Sequence, residues 1–265
     1  MKIRLSIFLA IFIAVSIAYA LTPLTQTPSL SVWILWTLYL IFPVGAALIS
    51  LYTSRIYGFK SANGRALLLI ASGTVFWAVG EIMLYISGIV GNMAFPSPID
   101  AIFLLGYPLF GAGIYQSFVT AGINLKTVNK SLLATILSLS FFLTILAGYF
   151  IVYPAYNASA DLLTNIVNIS YGLGDLILVI GSLFIILVAN EYKGGKLASF
   201  LKIMAVVFFI FLIADISFAI YESRQFYIDL LWTAGYILLS YAMLENYLHI
   251  SSVHKNIKLK LQQRQ

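Results

Sequence analysis

Residues 66–89 read ALLLIASGTVFWAVGEIMLYISGI, an apolar run whose one acidic or basic residue is Glu81. As a helix rising 1.5 Å per residue, such a run crosses the ~30 Å hydrocarbon core of a bilayer. Comparable runs lie at about 4–21, 31–52, 98–120, 131–153, 161–189, 198–221 and 226–248, eight in all. The 265-residue chain is 62% hydrophobic and 9% charged. The ten-residue alternating segments of a membrane β-barrel are absent. The pattern predicts an all-α polytopic membrane helical bundle of about eight transmembrane helices. It forms a single domain over 1–250, followed by a short basic tail over 251–265.

Charge places the ends of these helices. Lys2 and Arg4 precede the first run; Arg55, Lys60 and Arg65 fill the second connection; Lys126 and Lys130 the fourth; Lys193, Lys196 and Lys202 the sixth. Lys255, Lys258, Lys260 and Arg264 follow the last run, while the odd connections carry only Arg224. The alternation fits a multi-pass protein of the cell (plasma) membrane with both termini cytoplasmic. The net charge of +6 then belongs to an anionic inner leaflet, so membrane lipids and not nucleic acid are the expected partners. The first run, with Ala18-Tyr19-Ala20 at its end, also suits a cleaved signal peptide, and its length favours a retained helix.

Carboxylates cost roughly 2.5–3.5 kcal/mol each at the centre of a membrane helix, so acids within the apolar runs need a reason. A spacing recurs: Asp100 to Gly106, Asp175 to Gly181 and Asp229 to Gly235, with Tyr107 and Tyr236 following two of the glycines. Trp77, Glu81 and Tyr85 share one helical face in the run before Asp100, and Asp215 occupies the run before Asp229. The spans therefore pair into four hairpins of one orientation, a parallel repeat. The third hairpin keeps only Tyr171, Gly174, Asp175 and Gly181 of the pattern, and the first has lost its acids. Measured from the basic ends, Glu81 and Asp215 fall in the outer half of the membrane. Segment 154–170 reads either as the outer part of a long sixth span or as an interfacial helix, with Gly172 and Gly174 as a break point.

Plainer roles compete for these residues. Ser97, Pro98 and Asp100 have the spacing of N-cap, N1 and N3 at a helix start, and Asp229 stands in a first turn where the helix dipole favours an anion. Glu81, Asp175 and Asp215 lie deeper, as pocket residues or as partners of Tyr85, Tyr107, Tyr171 and Tyr236 across the bundle. Gly106, Gly111, Gly113, Gly181 and Gly235 suit close helix approach, and Trp33, Trp36, Trp77 and Trp232 suit interface belts or packing. With no cysteine, and with His249 and His254 both near the inner end, thiolate, zinc and bis-histidine haem sites have no ligands. No lysine stands inside the last two runs for a Schiff base, and no nucleophile elbow or phosphate loop occurs. No cofactor is expected.

The elements Trp77-x-x-Gly80-Glu81-x-x-x-Tyr85, Pro96-Ser97-Pro98-x-Asp100 and Leu105-Gly106-Tyr107-Pro108-Leu109 carry a resemblance. They resemble an uncharacterised multi-span membrane region found N-terminal to diguanylate cyclase (GGDEF), phosphodiesterase (EAL) and some kinase output domains of bacterial signalling proteins. Tyr171-x-x-Gly174-Asp175-Leu176 and Ala214-Asp215, then Asp229-x-x-Trp232-x-x-Gly235-Tyr236, resemble its later elements, so that residues 66–245 are covered. A fainter likeness, through Gly174-Asp175-Leu176, is to eight-span lysoplasmalogenase-type proteins. The resemblance implies a sensory input module. The basic tail holds no output domain, so a signal is expected to pass to a separate cytoplasmic or membrane protein partner. In that tail Val253, Ile257 and Leu261 suit a short amphipathic helix on the inner leaflet.

The leading expectation is a non-enzymatic sensor or receptor. Its outward-facing acidic pocket, lined by Glu81, Asp175, Asp215 and Asp229 with Tyr85, Tyr107, Tyr171 and Tyr236, would take a cation, a cationic solute or a lipid headgroup. The alternatives are a small-solute or proton-coupled transporter using the same acids, and a carboxylate-based intramembrane lipid hydrolase.

Overall fold

The computed structural model describes residues 2–21, 28–91, 94–122, 129–191, 196–221 and 226–262. Lys126, Lys193, Glu222 and Arg224 lie outside them, as do the side chains of Trp33, Trp36 and Glu191. Helices account for nearly all of the described chain: α1 (Lys2–Leu21), α2 (Pro28–Tyr57), α3 (Ala62–Val90), α4 (Pro98–Thr120), α5 (Lys130–Ala147), the single turn α6 (Tyr153–Ala155), α7 (Leu162–Glu191), α8 (Lys196–Tyr221) and α9 (Phe226–Gln262). Among the described residues, six of these are long and apolar enough to cross a membrane: α2, α3, α4, α5, α7 and α8.

Local chemistry sets the helix ends. Ser61 caps α3 by accepting the Gly64 N–H, and Gly91 ends that helix in the left-handed region at φ 73°. Ser97 and Asp100 form a capping box around Pro98 at the start of α4, the arrangement their spacing predicts. Asn129 caps α5, which runs through a π-helical stretch, Gly148–Val152, into α6. Asp161 caps α7 by accepting the Thr164 N–H at 3.0 Å.

Two open readings are resolved here. Segment 162–191 is one uninterrupted helix of 30 residues, so Gly172 and Gly174 break nothing and 162–170 is its first part, not a separate helix, while 156–161 precede it outside any helix. Its buried positions 165 and 167 lie against the bundle, while Leu162, Leu163 and Ile166 are exposed. The tail, too, is not a separate helix up to Gln262. α9 runs for 37 residues without interruption, because no glycine or proline follows Gly235 to stop it.

Six helices close a ring in the order α2, α3, α4, α7, α8, α9 and back to α2; α1 leans on α9 and α5 on α7. Aromatic side chains fill the interior. Trp77 meets Phe110 at 4.8 Å and Phe211 at 5.0 Å between ring centroids, both edge to face, and Phe110 meets Phe208 at 5.4 Å. The outside is apolar as well. Ile86, Ile89, Leu105, Phe141, Phe142, Ile145, Ile177 and Val206 are exposed, a surface made for hydrocarbon. Hydroxyls within the helices bond back to carbonyls a turn earlier, as Thr74 does to Ile70 and Ser182 to Leu178, so they cost little in lipid.

Candidate functional site

Glycines let the helices carrying the acids come together. A Cβ on Gly106 would enter the indole of Trp77, one on Gly80 would stand 2.8 Å from the Phe103 ring, and one on Gly235 2.8 Å from the Phe211 ring. A Cβ on Gly174 would meet the Tyr107 ring at 2.5 Å, so α7 and α4 approach face to face where their polar residues lie. Gly111 stands apart: a Cβ there would make only an ordinary contact, 3.6 Å from Ile177.

Each of four acids then receives a hydrogen bond from an aromatic side chain on another helix. Tyr107 of α4 donates its hydroxyl to Asp175 Oδ1 of α7 at 3.0 Å. Tyr171 of α7 donates in the reverse direction to Asp100 Oδ1 of α4 at 2.9 Å. The Trp232 indole N–H of α9 donates to Asp215 Oδ1 of α8 at 2.7 Å. Tyr236 of α9 donates to Glu81 Oε1 of α3 at 3.1 Å. The carboxyls of Asp175 and Asp215 lie within hydrogen-bonding reach of each other. Asp215 is also within electrostatic range of Tyr107, Tyr171 and Tyr236. The result is one connected polar cluster drawn from five helices.

Glu81 and Asp175 are buried at 5% and 2% exposure, whereas Asp100 and Asp215 are partly exposed. Asp100 does two jobs at once. Its Oδ2 accepts the Ser97 N–H at 2.7 Å and hydroxyl at 3.0 Å as the capping box, while its Oδ1 takes Tyr171. Above this pair a depression of about 360 Å³ opens, lined by Pro96, Ser97, Pro98, Ala101, Leu104, Leu163 and Val167. Leu104 and Val167 each stand one helical turn from Asp100 and Tyr171, so the polar pair borders an otherwise apolar slot.

Of the sequence candidates, Glu81, Asp175, Asp215, Tyr107, Tyr171 and Tyr236 come together in this cluster. Asp229 stays in the first turn of α9, four residues before Thr233, whose hydroxyl bonds back to the Asp229 carbonyl. Tyr85 is half-buried one turn beyond Glu81. Two members have other readings in the sequence: Trp232, assigned to belts or packing, and Asp100, for which the cap is the favoured role. The shared three-residue offset of Phe103 before Gly106 and Trp232 before Gly235 is the signal that places Trp232 inward. Trp77 is also a core residue, 5% exposed, and its indole N–H donates to the Phe103 carbonyl at 3.1 Å.

Among the described residues, no three acids or histidines converge as a metal ion requires. What the cluster offers is carboxylates beside aromatic rings, a combination suited to organic cations and to protons. No protein-family model, no curated protein and no solved structure matches this chain.

Proposed function

We propose that the chain is an integral membrane protein of sensor or receptor type, with eight spans and both termini cytoplasmic. Its acidic and aromatic cluster near the outer face takes a cation, a cationic solute or a lipid headgroup. The observation that carries this reading is the convergence of Glu81, Asp100, Asp175 and Asp215 with Tyr107, Tyr171, Tyr236 and Trp232 from five helices. A ligand that competes for those hydrogen bonds acts on the packing of all five helices at once. A protein with two helix arrangements responds to such differential binding by a population shift. The uninterrupted α9 links Trp232 and Tyr236 in the cluster to the basic tail, where a separate partner would read the change.

The resemblance to membrane input regions of bacterial signalling proteins supports the same role. So does the parallel repeat. Trp77, Glu81, Gly106 and Tyr107 of α3 and α4 correspond to Phe211, Asp215, Gly235 and Tyr236 of α8 and α9. In each hairpin the glycine packs on the aromatic ring four residues before the acid. A transporter needs a path to both sides. From the middle of the bundle toward the lysine-rich end, Ile70, Phe110, Ile185, Met204, Phe208 and Met243, each at most 2% exposed, pack the interior, and the buried Asn246 beyond them accepts the Tyr57 hydroxyl at 3.0 Å; the apolar packing between favours sensing.

The test is thermal stability of the purified protein across a panel of inorganic cations, polyamines and lipids, alongside Glu81→Gln and Asp215→Asn. A ligand that stabilises the parent and not the variants supports the reading. No stabilisation by any member of the panel, with variants as stable as the parent, counts against it.

A further inference from the structure

The two carboxyls of the cluster that lie within hydrogen-bonding reach of each other, Asp175 and Asp215, have a defect that one proton repairs. Asp175 is 2% exposed; its Oδ1 takes the Tyr107 hydroxyl, and its Oδ2 has no hydrogen-bond donor. The group beside it is the carboxyl of Asp215, whose Oδ1 is occupied by the Trp232 indole N–H. If both acids were ionised, two like charges would adjoin where Asp175 is almost fully buried, and the orphaned oxygen would have only another acceptor beside it.

Among the described residues, no cation acts on either acid. The groups acting on Asp175 are Asp215 and Tyr107, and those acting on Asp215 are Asp175 and Trp232. Among the described residues, the further titratable groups within electrostatic range of Asp215 are Tyr107 of α4, Tyr171 of α7 and Tyr236 of α9, with Asp100 of α4 and Glu81 of α3 one hydrogen bond further, beyond Tyr171 and Tyr236. The π-helical stretch and α6, which also pack on α7 and α8, contribute Tyr149 and Tyr153, both exposed at 66% and 76%. Among the described residues, every titratable group acting with the pair is a hydroxyl or another acid.

We propose that Asp175 and Asp215 form a proton-binding site that holds a single proton between their carboxyls. One carboxyl keeps the O–H bond and donates to an oxygen of the other, so the pair carries one negative charge instead of two. The bond supplies the partner that Asp175 Oδ2 lacks and ties α7 to α8. This site goes beyond the sensing reading and stands whether or not a solute binds the cluster.

The test is infrared spectroscopy of the full chain in lipid vesicles at neutral pH, with aspartate carboxyls isotope-labelled so that Glu81 does not contribute. The expected result is the carbonyl band of a protonated aspartic acid in the parent and in an Asp161→Asn control. It is lost in Asp175→Asn and in Asp215→Asn, because the amide N–H then supplies the hydrogen bond that the proton supplied. No such band in the parent, or a band unchanged in either amide variant, overturns the proposal. Should the amide variants not fold, Trp232→Phe keeps both carboxyls and removes one donor. The band is then expected to move, and an unmoved band overturns the proposal equally. A failed ligand panel leaves these results untouched, so the two readings fail separately.

Discussion

Tyr236 donates its hydroxyl to Glu81 Oε1 at 3.1 Å, joining positions 155 apart in the chain. The backbones of α9 and α3 are not neighbours, because α2 stands between them in the ring. The bond crosses the interior and pins two helices that packing alone leaves apart. Tyr236→Phe is expected to destabilise the protein by about 0.6 kcal/mol, the average for hydrogen bonds between membrane helices, and by no more than about 1.7 kcal/mol. Reversible unfolding in mixed micelles checks it. A Leu105→Ala change, at an exposed position, is the comparison for nonspecific effects.

Glycines give a sharper contrast. At Gly106 an added methyl enters the Trp77 indole, and at Gly235 it presses on the Phe211 ring. Alanine at either position is expected to cost about 1–3 kcal/mol through overpacking. Gly45 of α2 has nothing within 4 Å of an added Cβ, and Gly45→Ala is expected to be neutral or stabilising by about 0.5–1 kcal/mol. Melting temperatures of the three variants, ranked against the parent, decide the point.

The start of α4 carries a third expectation. Ser97→Ala removes the side chain that caps the Ile99 N–H and one of the two donors to Asp100 Oδ2. The loss should be about 1 kcal/mol. Hydrogen exchange of the first turn of α4 should quicken while the middle of α3 is unchanged. Equal acceleration in both would show that the cap acts on the whole bundle.

Asp161 lies just before α7, outside the span, and the Thr164 hydroxyl and then its backbone N–H hold this carboxylate below its ordinary range. A lowered value in the fold means that its capping contribution is present above the unfolded value and lost as the pH falls through the folded one. Thr164→Val should raise the Asp161 titration toward that of an ordinary aspartate without abolishing the shift, since the backbone N–H remains. Carbon-detected NMR of labelled aspartate reads this directly.

The absence of cysteine makes the topology easy to test. Lys60→Cys and Ala158→Cys are both at exposed positions, on opposite ends of the bundle. In intact cells a membrane-impermeant thiol reagent should label position 158 and reach position 60 only after permeabilisation. The reverse pattern would invert the proposed orientation and place the acidic cluster toward the cytoplasm.

The helices and several of their ends were legible because their causes are local. Apolar length marks α2, α3, α4, α5, α7 and α8, and the Ser97-Pro98-x-Asp100 spacing marks a capping box. That Glu81 and Asp215 lie inside helices was legible for the same reason. The continuity of α7 was not, because Gly172 and Gly174 carry the same local signature whether they break a helix or admit a neighbouring ring. Tyr107 packed on Gly174 settles that choice.

By itself, then, the amino-acid order determined the membrane helices, their caps and the set of polar residues that cannot face lipid. Only the tertiary structure decided which hydroxyl meets which acid: Tyr107 with Asp175, Tyr171 with Asp100, Tyr236 with Glu81, and Trp232 with Asp215. A helix fixes the spacing of side chains along its own axis, but its rotation and its neighbours come from packing against other helices. Lipid tails and core side chains are equally apolar, so hydropathy does not encode those choices. The fit of glycine against aromatic ring does, and it is expressed only when the helices touch.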